Sequence, residues 1–501
     1  MPDLPAPYYD VVVVGYGPVG ATAANLLGAA GLRTLVVDRA ATIFDVPRAI
    51  HFDASILRVF QSIGLADEIA GQCRVIDQMA TYGAQGQLLS SSSSGSGADG
   101  WADHYTFYQP ELEQALRAGA ERFRNVDVML GTVITAIADG ADDVEVNWEN
   151  SLAKGNVRAA FVIGADGAAS TVRKLAGIAL EDLDFDEPWL VVDALLDGEH
   201  DLPEATSQMF CDPRRPTTVV PGPGRHRRWE FMLLPGEDQA EIAASERIEE
   251  LLSAYVDPVG VKLLRASVYR FHALLAREWR RGRVMLAGDA AHQTPPFLGQ
   301  GMCHGIRDVQ GLAWRLRAIL RGEADGSLLD SYQQEREPQV REVIERAVTK
   351  GREICILDPD LAAARDLAVS ERSAWGQSLD STMMLAVTSG FIDPGRPDAG
   401  VVPQPLLTKG SRRLDDLLPQ GFSVITDDPG LVAAVQPLPV TVVTSADDSS
   451  GASSSWLDAA GARAAVLRPD RHPYGFAASC AGLEDLVSRL RSRLNGTGVF
   501  S

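Results

Sequence analysis

The stretch from Asp10 to Asp38 leaves this chain few folds to choose from. Val11 to Val14 are four consecutive valines, which suit a strand buried on both faces of a parallel sheet. The turn Gly15-Tyr16-Gly17-Pro18-Val19-Gly20 follows at once. Ala21 to Ala30 is rich in alanine and leucine and stops at Gly31, the residue type best able to take a left-handed C-cap. Leu32 to Val37 reads as a second strand, and Asp38 closes it eighteen residues after Gly20. The result is a Rossmann-like βαβ unit. Its spacing predicts a dinucleotide whose pyrophosphate meets the helix start near Gly17 and whose ribose hydroxyls donate to Asp38. Pro18, Val19 and Arg39 flank these positions and join them as candidate cofactor-binding residues. A turn that merely uses glycines does not account for strand, turn, helix, strand and acid arriving in this order.

Two later motifs narrow the cofactor. Gly164-Ala165-Asp166-Gly167 is the first. About 270 residues after the opening glycines, the apolar run Val284 to Ala287 delivers Gly288-Asp289 to a turn, where the carboxylate can accept hydrogen bonds from a ribityl chain. Ala290 to Pro296 then crosses toward the ring. The loop Gly299-Gln300-Gly301-Met302-Cys303 opens a helix whose free N–H groups can face the N1/O2 edge of a flavin. An ordinary strand-loop-helix connection competes with this reading, but the three motifs together point to FAD.

The bulk properties agree with an enzyme of this kind. The chain has 501 residues, 46% hydrophobic and 23% charged, enough for two or three domains with a sizeable core. A net charge of −21, from 46 basic and 67 acidic residues, argues against nucleic acid or an anionic membrane as partner. Five scattered cysteines without a CxxC spacing predict neither a disulfide framework nor a metal site and suit a reducing cytoplasm. The first ten residues do not read as a signal peptide, and no window is long and apolar enough to span a membrane.

The expected organisation is α/β, with a Rossmann-like domain in two parts, 1–188 and 273–393. Residues 189–272, with a segment at about 76–106, form an inserted β-sheet substrate domain. A third unit spans 394–501. Ser90 to Ser96 is expected to be a mobile surface loop. Strands are predicted at Trp189–Leu196, Thr217–Val220, Arg228–Leu234 and Leu263–Phe271, and helices at Asp308–Arg321 and Leu328–Ala347.

GYGPVG, GADGAAS followed by Arg173, and GDAAHQTPPFLGQGM together resemble the three marks of the single-component, FAD-dependent aromatic hydroxylases, over essentially the whole chain. Within that group the sequence is most similar to the 3-(3-hydroxyphenyl)propionate hydroxylases. The similar stretches are Phe44 to Leu65, Met209 to Val220, Arg227 to Glu237 and Asp330 to Glu337. The resemblance implies that Gly15, Gly17, Gly20 and Asp38 hold the ADP half, and that Arg48 and Gln109 touch the pyrophosphate and ribityl region. Asp166 would lie on the nicotinamide's route, Asp289 would bind the ribityl chain, and Pro296, Gly301, Met302 and Cys303 would line the ring. Residues 412–422 and 468–476 are similar to a thioredoxin-like tail without its redox cysteines, which implies a structural role or a homodimer interface.

The implied reaction uses NADH or NADPH to reduce FAD, and O2 to form a C4a-hydroperoxide that hydroxylates a small phenolic substrate. The protein's tasks are then to shield the site from water and to favour the phenolate. His51 is the candidate base for the phenol proton, against a histidine held within the core. Tyr105, Tyr108, Trp229, Phe231 and Pro296 are candidates to line the substrate cavity, and Arg215 to meet a substrate carboxylate. His292 is assigned a structural role. A flavin oxidase or dehydrogenase, or a flavoprotein that binds an aromatic ligand without turning it over, are the competing functions.

Overall fold

A computed structural model describes residues 7–43, 48–94, 99–374, 386–396, 400–407, 412–431, 440–443 and 447–496. The valine run lies in the strand Tyr8–Val14, and Val11, Val12 and Val13 have no exposed surface. It sits between Lys154–Gly164 and Thr34–Val37, with Val284–Leu286 and Val126–Met129 beyond them, all parallel. Covering both faces of such a sheet is what a continuous apolar strand requires. An antiparallel ribbon, Thr132–Asp139 and Val144–Asn150, extends this eight-stranded sheet.

Register explains how motifs so far apart in sequence meet. Val14 pairs with both Val37 and Gly164, and Gly164 pairs with Leu286. Gly15, Asp38, Ala165 and Ala287 therefore leave the sheet side by side at its carboxyl edge, where open α/β sheets bind ligands. Gly15 turns there with φ +102, and a Cβ on Gly20 would lie 1.9 Å from the Gly15 carbonyl oxygen. The Pro18–Ala29 helix can thus approach the sheet only with glycine at position 20.

A second eight-stranded sheet contains the long antiparallel pair Leu180–Leu196 and Val261–Ala276, followed by His226–Met232, Thr217–Pro221, Thr206–Phe210, Gln78–Tyr82 and Leu88–Ser93. The last strand corrects the expected serine loop. Its backbone pairs with Gln78–Tyr82 whatever its side chains are, and the Pro359–Ala374 helix packs against it. Residues 95 and 96 lie outside the described residues.

The third unit is a four-stranded sheet in the order Val440–Val442, Ser423–Thr426, Ala464–Leu467 and Pro473–Ala477, with the Cys480–Leu494 helix against it. Its apolar residues share a core with Trp314, Ala318 and Leu328. Buried charges also cross to the flanking helices. Arg58 pairs with Asp415 at 2.9 Å and Asp99 at 2.6 Å, and Glu335 pairs with Arg315 at 2.5 Å and Arg468 at 2.8 Å. Trp314 Nε1 donates to Asp470 at 2.9 Å. Among the described residues no helix is long and apolar enough to cross a membrane.

Candidate active site

A cavity of about 730 Å³ runs along the carboxyl edge of the parallel strands and under the second sheet. At one end lie Gly15, Gly17, Pro18, Val19, Asp38, Arg39 and Arg48. A Cβ on Gly17 would meet nothing within 4 Å, so the backbone there is open to a ligand at the start of a helix. Asp38 accepts from the backbone N–H of Tyr16 at 2.6 Å and of Ala40 at 2.7 Å, which fixes its carboxylate beside the glycine turn. Gln109 accepts from the N–H groups of Arg48 and Ala49 at 2.7 and 2.9 Å and donates to Glu113, so its amide holds this crossing segment in place. Asp166 also faces the cavity, but its oxygens take Ser170 Oγ and the N–H groups of Thr171 and Val172, capping the short helix that follows.

Asp289 lines the same cavity, half-buried, and no protein donor reaches its carboxylate among the described residues. Its turn is fixed from behind. Asp308, fully buried, accepts from the Gly288 N–H at 3.0 Å, pairs with Arg336 at 2.9 Å and meets His292 Nε2 at 2.7 Å, which gives His292 its structural task. From Pro296 to Met302 every residue lines the cavity. Gly299 turns with φ +63 and packs on His51, while a Cβ on Gly301 would meet nothing within 4 Å. Cys303 is not among the lining residues. It is buried behind the loop, its Sγ 3.7 Å from the Gly299 carbonyl oxygen. Two open glycine faces, an unpartnered carboxylate and four strand ends along one cavity fit an extended dinucleotide carrying a planar ring.

Beyond the loop, the second sheet supplies a wall. Alternate residues point to one face of a strand, and four neighbouring strands each give an alternating pair to the cavity: Met79 and Thr81 (with Ala80 between them also at its edge), Ser207 and Met209, Thr218 and Val220, Arg228 and Glu230. Thr81, Met209, Thr218 and Glu230 are register partners in a single row. Arg228 is locked by Asp193 at 2.9 Å and donates to the Arg48 carbonyl at 2.7 Å. Burial opposes ionisation of Asp193, but Arg228 and His226 outweigh it and hold its carboxyl down to about 2. Burial pushes the Glu230 carboxyl up.

Opposite this wall, His51 Nε2 lies 3.1 Å from His104 Nδ1, and His51 Nδ1 lies 3.4 Å from the Gly299 carbonyl oxygen. Burial, followed by the neighbouring His104, brings the His51 pKa down to about 4, so its imidazole is neutral at pH 7.

The expected aromatic lining is corrected. Trp229 and Phe231 alternate with Arg228 and Glu230, so they point the other way, into a buried core with Ile242 and Ile248. Tyr105 stacks on Phe52 and accepts from the Ala102 N–H at 3.0 Å, also within the core, and Tyr108 stands edge-on to His226 outside the cavity lining. Arg215 is bound bidentately by Glu237, away from the cavity, and so is not open to a substrate. The sequence reading missed His104, Arg228, Glu230 and Lys350, all of which line the cavity. Polar residues alternating with aromatics in Arg228–Phe231 were the available signal for two of them.

Comparison with known proteins agrees with this geometry. Residues 8–347 match the FAD binding domain family. The chain is 33% identical to a probable NADH-specific resorcinol 4-hydroxylase of Rhodococcus jostii, over 96% of this chain and 94% of that protein. It is 38% identical to a 3-(3-hydroxy-phenyl)propionate/3-hydroxycinnamic acid hydroxylase of Mycolicibacterium smegmatis, over 71% of this chain and 63% of that one. The crystal structure of the flavin-dependent monooxygenase PieE, in complex with FAD and substrate, superposes with a TM-score of 0.82 over 98% of this chain and 100% of that one, at 20% identity. The chain therefore belongs to the FAD binding domain family and is an FAD-dependent monooxygenase that hydroxylates an aromatic ring with NAD(P)H and O2.

Proposed function

We propose that the substrate is a small phenol held between the Arg228 and Glu230 wall and the Pro296–Met302 loop. The observation that carries this is the single cavity joining the Asp38 end to the His51–His104 pair. In this reading Gly15, Gly17, Gly20, Asp38 and Arg39 hold the ADP half, Arg48 and Gln109 the pyrophosphate region, and Asp289 the ribityl chain. The Gly301 helix start faces the ring edge. Residues 189–272, with about 76–106, act as the substrate domain. Residues 394–501 act as a thioredoxin-like unit and homodimer contact, in a cytoplasmic protein, with NADH as donor.

When bound, FAD supplies hydride acceptance and oxygen activation. The chain's own residues do the rest. Free N–H groups at the start of the Gly301–Leu320 helix stabilise negative charge placed before them. If His51 Nδ1–H donates to the Gly299 carbonyl, Nε2 is left to accept from His104, and the pair accepts a hydrogen bond from the phenol O–H that draws electron density toward the ring. Met209, Val220 and Phe297 keep water from the reacting face. A panel of phenols tests the reading. NADH oxidation should accelerate with oxygen uptake and a ring-hydroxylated product, whereas stoichiometric peroxide without product, or no acceleration by any phenol, would overturn it.

A further inference from the structure

We propose that Lys350 anchors an acidic substituent of the substrate, so that this enzyme prefers phenols bearing a carboxylate side chain to uncharged phenols. The inference rests on the hydroxylase reading above and names the substrate class within it.

Lys350 is 8% exposed and lines the cavity, yet among the described residues no acid pairs with its ammonium. Other cations with little exposure are provided for: Arg215 has Glu237, Arg228 has Asp193 and Arg365 has Asp366. A buried ammonium without a counter-charge is costly, and such a group persists where a ligand completes it. Its position is also well defined. It lies near the carboxyl end of the Asp330–Ile354 helix, and the next residue, Gly351, is pressed so closely on Phe297 and Phe185 that a Cβ would lie 2.5 Å and 2.7 Å from them. One turn on, Ile354 packs in one cluster with Cys211, Met209 of the cavity wall and Phe297.

Lys350 thus stands where the flavin-side loop meets the sheet wall, separate from the Asp38 end of the cavity. Glu230, the acid on that wall, lies 3.9 Å from Arg228 and so already faces a cation, which leaves the Lys350 ammonium to be met by a ligand. A phenol whose hydroxyl meets the His51–His104 pair can then place a carboxylate on Lys350, which provides three donors and no acceptor. This sorts the two kinds of relative. Resorcinol carries no acid to offer, whereas a hydroxyphenylpropionate does.

The test uses the FAD-loaded enzyme with 3-(3-hydroxyphenyl)propanoate, its amide, and resorcinol, reading NADH oxidation with product identification. The propanoate should exceed its amide in kcat/KM by roughly 10- to 100-fold, mostly through KM, as a charge-assisted contact provides. Lys350→Met should collapse that ratio toward one, and Lys350→Arg should retain most of it. Should Lys350→Met fail to fold, inhibition of the unmodified enzyme still decides the matter: 3-phenylpropanoate should bind at least about 10-fold tighter than its amide. Equal binding of acid and amide overturns the assignment. So does an equal loss for resorcinol and propanoate in Lys350→Met, which would place the ammonium on the phenol oxygen instead. If no phenol of either kind accelerates NADH oxidation, it is the phenol hydroxylase reading that fails.

Discussion

Replacing Gly17 by alanine separates the cofactor role of the glycine turn from its folding role. Gly17 caps the Pro18–Ala29 helix with φ −73 and ψ −172, a conformation alanine adopts freely, and its Cβ would point into open space. Two effects on the apoprotein oppose each other. Alanine is a poorer N-cap than glycine by several tenths of a kcal/mol, while a stiffer unfolded chain returns about 0.4–1 kcal/mol. Apoprotein stability should therefore stay within about 1 kcal/mol of the parent. The added methyl instead occupies the space the pyrophosphate needs, and the loss of one or two charge-assisted N–H contacts predicts roughly 10- to 100-fold weaker FAD binding. Gly20→Ala is the contrasting case, because its Cβ would lie 1.9 Å from a backbone oxygen and must cost on the order of 1–3 kcal/mol or more in folding as well. Protein stripped of FAD is unfolded in urea with tryptophan fluorescence as the signal, and FAD is titrated back by quenching of flavin fluorescence. A Gly17→Ala apoprotein destabilised by more than about 2 kcal/mol, or one that binds FAD like the parent, would refute the reasoning.

Asp289→Asn should lower FAD affinity by roughly 10-fold or more, read as flavin occupancy after gel filtration, because the carboxylate has no protein partner to lose. His51→Gln should lower kcat on a phenol by on the order of 100-fold while flavin occupancy stays at the parent level. In the parent, His51 binds its proton near pH 4 when folded against 6.5 when unfolded, so the neutral imidazole contributes stability above pH 6.5 that is lost as pH falls to about 4 and not further. The acid limb of turnover governed by this group should fall near pH 4, and a limb near 6.5 would contradict the assignment. Trp229→Ala should cost about 3–5 kcal/mol of stability in urea unfolding, with kcat per folded, flavin-loaded molecule retained.

The cofactor end was legible because its signals are local. Val11 to Val14, the three turn glycines and Asp38 each carry their meaning within a few residues, and Gly288-Asp289 adds another short signal. Their convergence needed the parallel register, which sequence order alone does not state. The substrate end was misread for a physical reason. Which face of the His226–Met232 strand looks into the cavity depends on pairing with Thr217–Pro221, so the aromatics Trp229 and Phe231 were chosen where Arg228 and Glu230 face inward. Arg215 looked like an open cation because Glu237, its partner, is a folded-state neighbour rather than an adjacent residue. Lys350 gave no signal at all, since a lysine late in a charged helix reads as solvated. The serine strand was missed because backbone pairing, unlike side-chain composition, is set by what lies beside it.

The charges buried between the last unit and the flanking helices set a limit on engineering this enzyme. A chain shortened after residue 393 would keep all three glycine motifs and every wall residue of the cavity. It would also strand Glu335 and Arg315 without Arg468, leave Arg58 without Asp415, and open the indole of Trp314 to water. Removing one side of such pairs costs far more than the pairs themselves contribute. Minimal catalytic fragments of this protein should therefore be sought by trimming loops, with the carboxyl-terminal sheet left in place.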